Sequence, residues 1–303
     1  MLDIGATATR QTIEADAQGL VDRLPSLLLE ARRVAAAVAQ GIHGRRRAGQ
    51  GETFWQFRSF EQGDSATSVD WRRSASSSHL YVREREWEAA HTVWVWPDLS
   101  KSMHFRSHLA NTTKAERAVV LSLALSSLLS DGGERVGIPG FLEPRTRRNV
   151  SSPFLSAVAK NAARMTELPD TAGRMSRHSE IVIVSDFLDD ASKTEAAVRH
   201  LARQGLRGHL VQILDPAEET LPYTGRIEFR DDETGVRYVA ERAETLRDAY
   251  RRKLDAHKAR LGQMARQLGW SSHLHHTDRP AVEVLLRLHM HMSGMDRRTA
   301  PFG

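Results

Sequence analysis

The stretch that decides the fold is Thr92-Val-Trp-Val-Trp96-Pro97-Asp98-Leu99-Ser100-Lys101-Ser102. Residues 92–96 are apolar on both faces, as a central parallel strand covered by helices should be. The chain then turns at Pro97 and sets Asp98, Ser100 and Ser102 at every second position. A second run of the same kind, Ile181-Val-Ile-Val184, leads into Ser185-Asp186 roughly ninety residues further on. Around these two runs strands and helices alternate. Lys114 to Leu129 has the pattern of a strongly apolar helix closed by Asp131-Gly-Gly133. Arg135 to Phe141 reads as a strand, Leu142 to Val150 as a strand or turn, and Pro153 to Met165 as a helix. Ala191 to Gln204 predicts a helix and His209 to Leu214 a strand. A long charged helix over Glu241 to Leu268, a strand near Trp270 to Leu274 and a helix from Pro280 to His291 close the series. The pattern implies an α/β fold with a doubly wound, mostly parallel sheet of the Rossmann-like kind. An alternating segment from Tyr223 to Val239, with Asp231-Asp-Glu-Thr-Gly235 at its middle, predicts a β-hairpin inserted at about 222–240.

Doubly wound sheets bind ligands at the carboxyl ends of their strands, where the strand order reverses. If the two apolar runs are the first and fourth strands, Asp98 and Asp186 become neighbours at that point. The D-x-S-x-S spacing lets one loop turn aim three oxygens at a common position. A hard cation such as Mg²⁺ or Mn²⁺ takes oxygen ligands and keeps several waters, so Asp98, Ser100, Ser102 and Asp186 form a candidate set with open positions. An open position can take a partner's carboxylate, which makes a metal adhesive without making it catalytic.

Upstream, Leu24, Leu27, Leu28, Val34 and Val38 predict a helix over Leu20 to Gln40, with Gly41 as its stop. From Gly41 to Arg83 the glycines and the aromatics Phe54, Trp55, Phe57, Phe60, Trp71 and Tyr81 suggest a small strand-and-loop subdomain, with Phe54, Trp55, Phe57, Phe60 and Trp71 expected to be buried in it and not to stack single-stranded nucleic acid. The expected organisation is a helical segment over 1–40, the small subdomain over 41–90, the α/β domain over 91–292 and a mobile tail over 293–303.

Composition narrows the functional classes. With 40% hydrophobic and 27% charged residues the chain has ordinary globular balance, and no run approaches the ~18 apolar residues of a membrane span. The first residues, MLDIGATATRQTIEAD, lack an apolar secretory core, so the cytoplasm is the expected compartment. The absence of cysteine removes disulfides, thiolate zinc sites and cysteine nucleophiles. There is no G-x-x-x-x-G-K-[ST] phosphate loop and no G-x-S-x-G elbow, which argues against ATP hydrolysis and against a serine hydrolase.

Gly49-Gln-Gly51-Glu-Thr-Phe54, Arg58, Gly63-Asp64, Val69-Asp70-Trp71-Arg72 and Leu80-Tyr-Val-Arg83, followed by Asp98-Leu-Ser-Lys-Ser-Met103 and Lys114, resemble in order the signature of the bacterial family called domain of unknown function 58. The resemblance runs from about Gly41 to Asp186, and Ile227-Glu-Phe with Asp232-Glu-Thr-Gly235 is similar to the family's hairpin. It implies a von Willebrand factor A-like domain in which Asp98, Ser100 and Ser102 match the metal-ion-dependent adhesion motif and Asp186 its later Asp. Thr146 and Thr166 lie in the interval of the motif's threonine, neither in a recognisable context. It also implies a cytoplasmic or membrane-attached protein in the service of an AAA+ ATPase of the MoxR type and its client protein. The function expected is a non-enzymatic, metal-assisted protein-interaction module acting as an adaptor for that ATPase.

The alternative is a basic nucleic-acid-binding protein. The net charge of +5 and the loop Gly44-Arg45-Arg46-Arg47-Ala-Gly-Gln-Gly51 supply guanidinium forks and free backbone N–H groups that suit phosphate, although a solvated turn explains the loop as well. His273, His275, His276, His289 and His291 invite a zinc reading, but without Cys or an H-E-x-x-H helix they read as ordinary surface or part-buried histidines. Asp64 and Asp70 stand in turn-like contexts where Asp bonds its own backbone.

Overall fold

In the computed structural model the described residues are 4–45, 55–61, 64–65, 67, 69–75, 77, 79–85, 91–146, 149–169, 175–230 and 235–293. They fall into two compact units, Met1–Ile42 with His91–Gly303, and His43–Ala90.

The larger unit begins with α1 (Ile4–Arg45). Leu20, Leu24, Leu27, Ala31, Val34, Ala35 and Val38 are buried at alternating three- and four-residue steps, the stripe by which a helix joins a core. Gly41 does not stop this helix. It lies within it, where a side-chain carbon would come to 3.2 Å from Leu286 Cδ2, so its use is close approach and not termination.

In the smaller unit β1 (Trp55–Ser59) pairs antiparallel with β2 (Tyr81–Arg85), and α2 (Trp71–Ser74) lies between them in the chain. Asp70 caps α2 by accepting from Arg73 N at 3.1 Å, and Asp64 accepts from Glu61 N at 2.8 Å, so both bond local backbone as the turn reading expects. Trp71 corrects the expectation of burial: it is 64% exposed.

The larger unit continues through β3 (Thr92–Pro97), α3 (Lys114–Asp131), β4 (Arg135–Ile138), β5 (Leu142–Arg145), α4 (Ser151–Asn161), β6 (Glu180–Ser185), α5 (Ala191–Arg203) and β7 (Arg207–Leu214). It ends with α6 (Pro216–Thr220), the hairpin of β8 (Ile227–Arg230) and β9 (Arg237–Ala240), α7 (Arg247–Gln267), β10 (Ser271–His276) and α8 (Ala281–Met292). A six-stranded sheet runs in the order β10-β7-β6-β3-β4-β5, parallel throughout except for β5, which returns antiparallel to β4. Helices flank it, α3 packing with α4 and α8, and α5 with α7. Every residue of β6, and all of β3 after Thr92, is buried, so both faces are covered. The segment after Phe141 is an edge strand of four residues, Leu142–Arg145, and the next helix begins at Ser151. The long charged helix starts at Arg247, after a 3-10 turn over Ala243–Leu246. Among the described residues no helix is long and apolar enough to cross a membrane.

The strand order sets which strand ends meet. From β3 the chain moves to β4 on one side, and β6 returns to pair with β3 on the other, with Pro97 opposite Val184. The carboxyl ends of β3 and β6 therefore meet where the order reverses. Along the adjoining strand, Gly208 of β7 lies under the Trp270 indole, so that a side-chain carbon there would fall 1.9 Å from the ring. The ring is held by its own Nε1–H, which donates to Leu206 O at 3.2 Å. Gly208→Ala is expected to destabilise the protein by about 1–3 kcal/mol or more, read as a lower urea midpoint. An unchanged midpoint would mean that the indole can move aside.

Candidate metal centre

Three neighbouring parallel strands end in aspartate: β3 leads to Asp98, β6 to Asp186 and β7 to Asp215. Asp98 extends the β3–β6 ladder through its N–H, which donates to Val184 O at 2.8 Å. Its carboxylate then organises the loop. Oδ1 accepts from Ser100 N at 2.9 Å, a local turn of the kind Asp favours, and Oδ2 accepts from the Ser185 hydroxyl at 2.6 Å. A 3-10 turn over Lys101–His104 brings the Ser102 hydroxyl to 3.3 Å from that of Ser100. Asp98 and Ser100 are buried, Ser102 half-buried. Burial pushes the Asp98 carboxyl up to about 7, and the negative charge of Asp186 adds to the effect.

Asp186 lies at the adjoining strand end in a different environment. Its Oδ1 accepts from Leu188 N at 3.1 Å, and its Oδ2 accepts from Lys114 Nζ at 2.7 Å. The same ammonium donates to Glu218 Oε1 at 2.5 Å. Lys114 is fully buried and is the first residue of α3, where the helix dipole disfavours a cation. Burial also works against its charge, but Asp186 and Glu218 outweigh both and hold its pKa above the usual lysine value. Glu218 is itself placed by a capping box: its Oε2 accepts from Asp215 N at 2.8 Å, while Asp215 accepts from Ala217 N at 2.8 Å and from Ser107 N at 2.9 Å. Burial raises the Glu218 pKa against the pull of Lys114.

The expected set of Asp98, Ser100, Ser102 and Asp186 is thus brought to adjoining strand ends, but its two acids are not equivalent. Lys114, Ser185, Asp215 and Glu218 complete the arrangement, and sequence reasoning misses them as site residues. Asp215-Pro216-Ala217-Glu218 carries a signal, since Asp before a helical Pro with Glu three positions on is a helix-start pattern. Lys114 carries none beyond its place in the family signature. Of the two threonines, Thr166 follows Met165, whose carbonyl accepts from Leu99 N at 2.7 Å beside the loop. Thr146 follows the antiparallel strand β5 and so belongs to the opposite end of the sheet.

The donor chemistry fits a hard divalent cation at Asp98, Ser100 and Ser102: all are oxygens, and no cationic side chain pairs with Asp98 among the described residues. At Asp186 the fit requires Lys114 to yield. Among the described residues no three of His, Asp and Glu gather as a metal-holding group, so hydroxyls and water would supply much of the coordination. Two of the C-terminal histidines have protein partners: His273 Nε2 lies 3.0 Å from Ser271 Oγ, and His276 Nε2 lies 2.6 Å from Glu219. His275 is pushed down to about 3 by burial and nearby positive charge, and is neutral. The side chains of Arg45, Arg46 and Arg47 lie outside the described residues.

A family model described as "Protein of unknown function DUF58" matches residues 56–260. The uncharacterized proteins Mb1516 of Mycobacterium bovis and Rv1480 and MT1527 of Mycobacterium tuberculosis are each 24% identical over 308 residues, covering 90% of this chain and 90% of theirs. Among solved structures, the conserved hypothetical protein BatB from Bacteroides thetaiotaomicron is similar at a TM-score of 0.39 and 16% identity, over 67% of this chain and 99% of that one. An aerotolerance-related membrane protein from Bacteroides fragilis is similar at 0.40 and 18%, over 68% of this chain and 100% of that one. Both structural likenesses are too distant to carry an argument.

The Asp98 carboxyl has a consequence for stability. Its folded-state pKa of about 7 lies above the ordinary 3.8, so between those values the folded chain holds a proton that the unfolded chain has lost. Stability contributed by this group is therefore present at low pH and falls as pH rises through the window, at up to about 1.4 kcal/mol per pH unit. Asp98→Asn keeps the shape and removes the charge. In urea denaturation with chelator present, the variant is expected to match the wild type near pH 4 and to exceed it by on the order of 2–4 kcal/mol at pH 8. Equal stabilities at pH 8 would show that the carboxylate is already compensated.

Proposed function

We propose, from the premise that this chain belongs to the DUF58 family, that it is a non-enzymatic, metal-assisted protein-interaction module whose α/β unit is of the von Willebrand factor A kind. The observation that carries the reading is the meeting of Asp98, Ser100 and Ser102 with Asp186 at the reversal point of the sheet, where Asp98 is a buried carboxylate with no cationic partner among the described residues. Ser100 and Ser102 would hold Mg²⁺ or Mn²⁺ directly, and Asp98 and Asp186 largely through water. When bound, the cation supplies an open coordination position for a partner's Asp or Glu. The remaining work belongs to the protein: Ser185 and the Ser100 N–H fix the Asp98 carboxylate, and the Met165 carbonyl fixes Leu99.

A binding role accords with the chemistry better than catalysis does. The hydroxyl of Ser100 faces that of Ser102 and Asp98, with no histidine aligned to take its proton among the described residues. Phe105 and Leu109, on the segment joining the 3-10 turn to α3, are large apolar side chains left exposed beside the site, and they offer a partner a contact that excludes water. The partner we propose is an AAA+ ATPase of the MoxR type acting in the cytoplasm on a client protein, with this chain as adaptor and the ATPase as the source of work.

Calorimetric titration of Mg²⁺ and Mn²⁺ into the wild type and an Asp98→Ala, Ser100→Ala variant, with and without such an ATPase, tests this. Metal binding, or ATPase binding that needs metal, is expected in the wild type and absent in the variant. ATPase binding that is metal-independent and unchanged in the variant would move the interaction surface elsewhere.

A further inference from the structure

Lys114 is hard to explain as a simple structural residue. A fully buried ammonium at the first position of a helix is opposed by desolvation and by an unfavourable dipole, and an apolar side chain of similar volume would face neither. It also takes up Asp186 Oδ2, one of the two carboxylate oxygens of an acid proposed above to help hold the cation. Its second partner is on a different element: Asp186 follows β6, whereas Glu218 belongs to α6 after β7. The ammonium can therefore give up one carboxylate and keep the other, without ever becoming an unpaired buried charge.

We propose that Lys114 is a resident counter-ion that competes with a divalent cation for Asp186, and that Glu218 is the second partner to which it withdraws when the cation binds. This rests on the cation site proposed above and adds its regulation. The affinity of the site is set by the partition of one ammonium between two carboxylates. With Lys114 bridging Asp186 and Glu218, as it does in the structure, the cation finds only Asp98 and two hydroxyls. With Lys114 on Glu218 it finds both strand-end acids. The site is thereby weak by construction and favours a cation that arrives together with a partner's carboxylate.

The test is Mn²⁺ titration of the full chain, followed by the free-ion electron paramagnetic resonance signal. Lys114→Met is expected to bind Mn²⁺ roughly tenfold or more tightly than the wild type, a difference of about 1.4 kcal/mol. Glu218→Gln is expected to bind it several-fold more weakly, because the lysine has lost its alternative. Simple through-space charge would give the same signs, so the deciding measurement is a cycle in an Asp186→Asn background. There Lys114→Met is expected to have no effect; a gain as large as in the native background overturns the competition. If Lys114→Met does not fold, Glu218→Gln decides: weaker binding that becomes neutral in the Asp186→Asn background supports the proposal, and equal or tighter binding overturns it. Wild-type binding unaffected by either substitution keeps the cation site and removes only the role of Lys114. No Mn²⁺ binding in any of these proteins removes the site and the inference together.

Discussion

The pairing of β3 with β6 is the constraint on which the rest depends. Both strands are buried on both faces, which commits them to the centre of a sheet covered by helices, and neither can slip without carrying apolar side chains out of the core. Their parallel register puts Pro97 opposite Val184, and so delivers Asp98, Ser185 and Asp186 to one place as the chain leaves the sheet. The Asp98 N–H to Val184 O bond continues the ladder one residue past the strand, so the first acid is held by sheet geometry and not by a free loop. The loop is assembled on that anchor: the Asp98 turn aims Ser100, the 3-10 turn aims Ser102, and the Met165 carbonyl fixes Leu99.

The same anchor concentrates charge where it is expensive. Asp98, Asp186, Asp215 and Lys114 are all buried in one layer at the strand ends, a region a purely structural core would fill with hydrocarbon. Asp215 meets burial with hydrogen bonds, accepting from Ala217 N at the start of α6 and from Ser107 N. Asp186 does so with a lysine, and Asp98 with a serine hydroxyl and a backbone N–H that leave its charge uncancelled. Three neighbouring acids with three different solutions point to a site whose members have separate tasks.

Much of the frame is legible in the sequence. The two doubly apolar runs, the helix from Lys114 and the alternating hairpin segment each carry a period that belongs to one kind of element, and each is found at its place. The errors share a cause. Gly41 looks like a stop because glycine usually ends helices, but its actual use is contact with Leu286, roughly 245 residues away in sequence, which no local window contains. Trp71 looks buried because tryptophan usually is, yet the capped turn of α2 directs it outward. Lys114, at the head of an apolar helix, carries no local sign that it is buried. Its burial follows from Asp186 and Glu218, which lie 72 and 104 residues away. Local periodicity reports which face of an element is apolar; it does not report which charges from distant loops converge on its end.

That limit explains why Asp98 and Asp186 look alike in sequence and differ in the folded protein. Each follows a run of β-branched or aromatic residues and each is deeply buried. The difference comes from what lies across the sheet edge. Beside β3 the neighbours are the chain's own loop and Ser185, which can orient a carboxylate but cannot neutralise it. Beside β6 the neighbour is β7, whose following helix brings Glu218 and leaves room for one ammonium between two acids. Strand order therefore decides the electrostatics: one acid faces an internal cation and the other does not. On the proposal that these strand ends accept a metal ion, that asymmetry assigns the opening to Asp98, the acid that no internal cation already neutralises among the described residues.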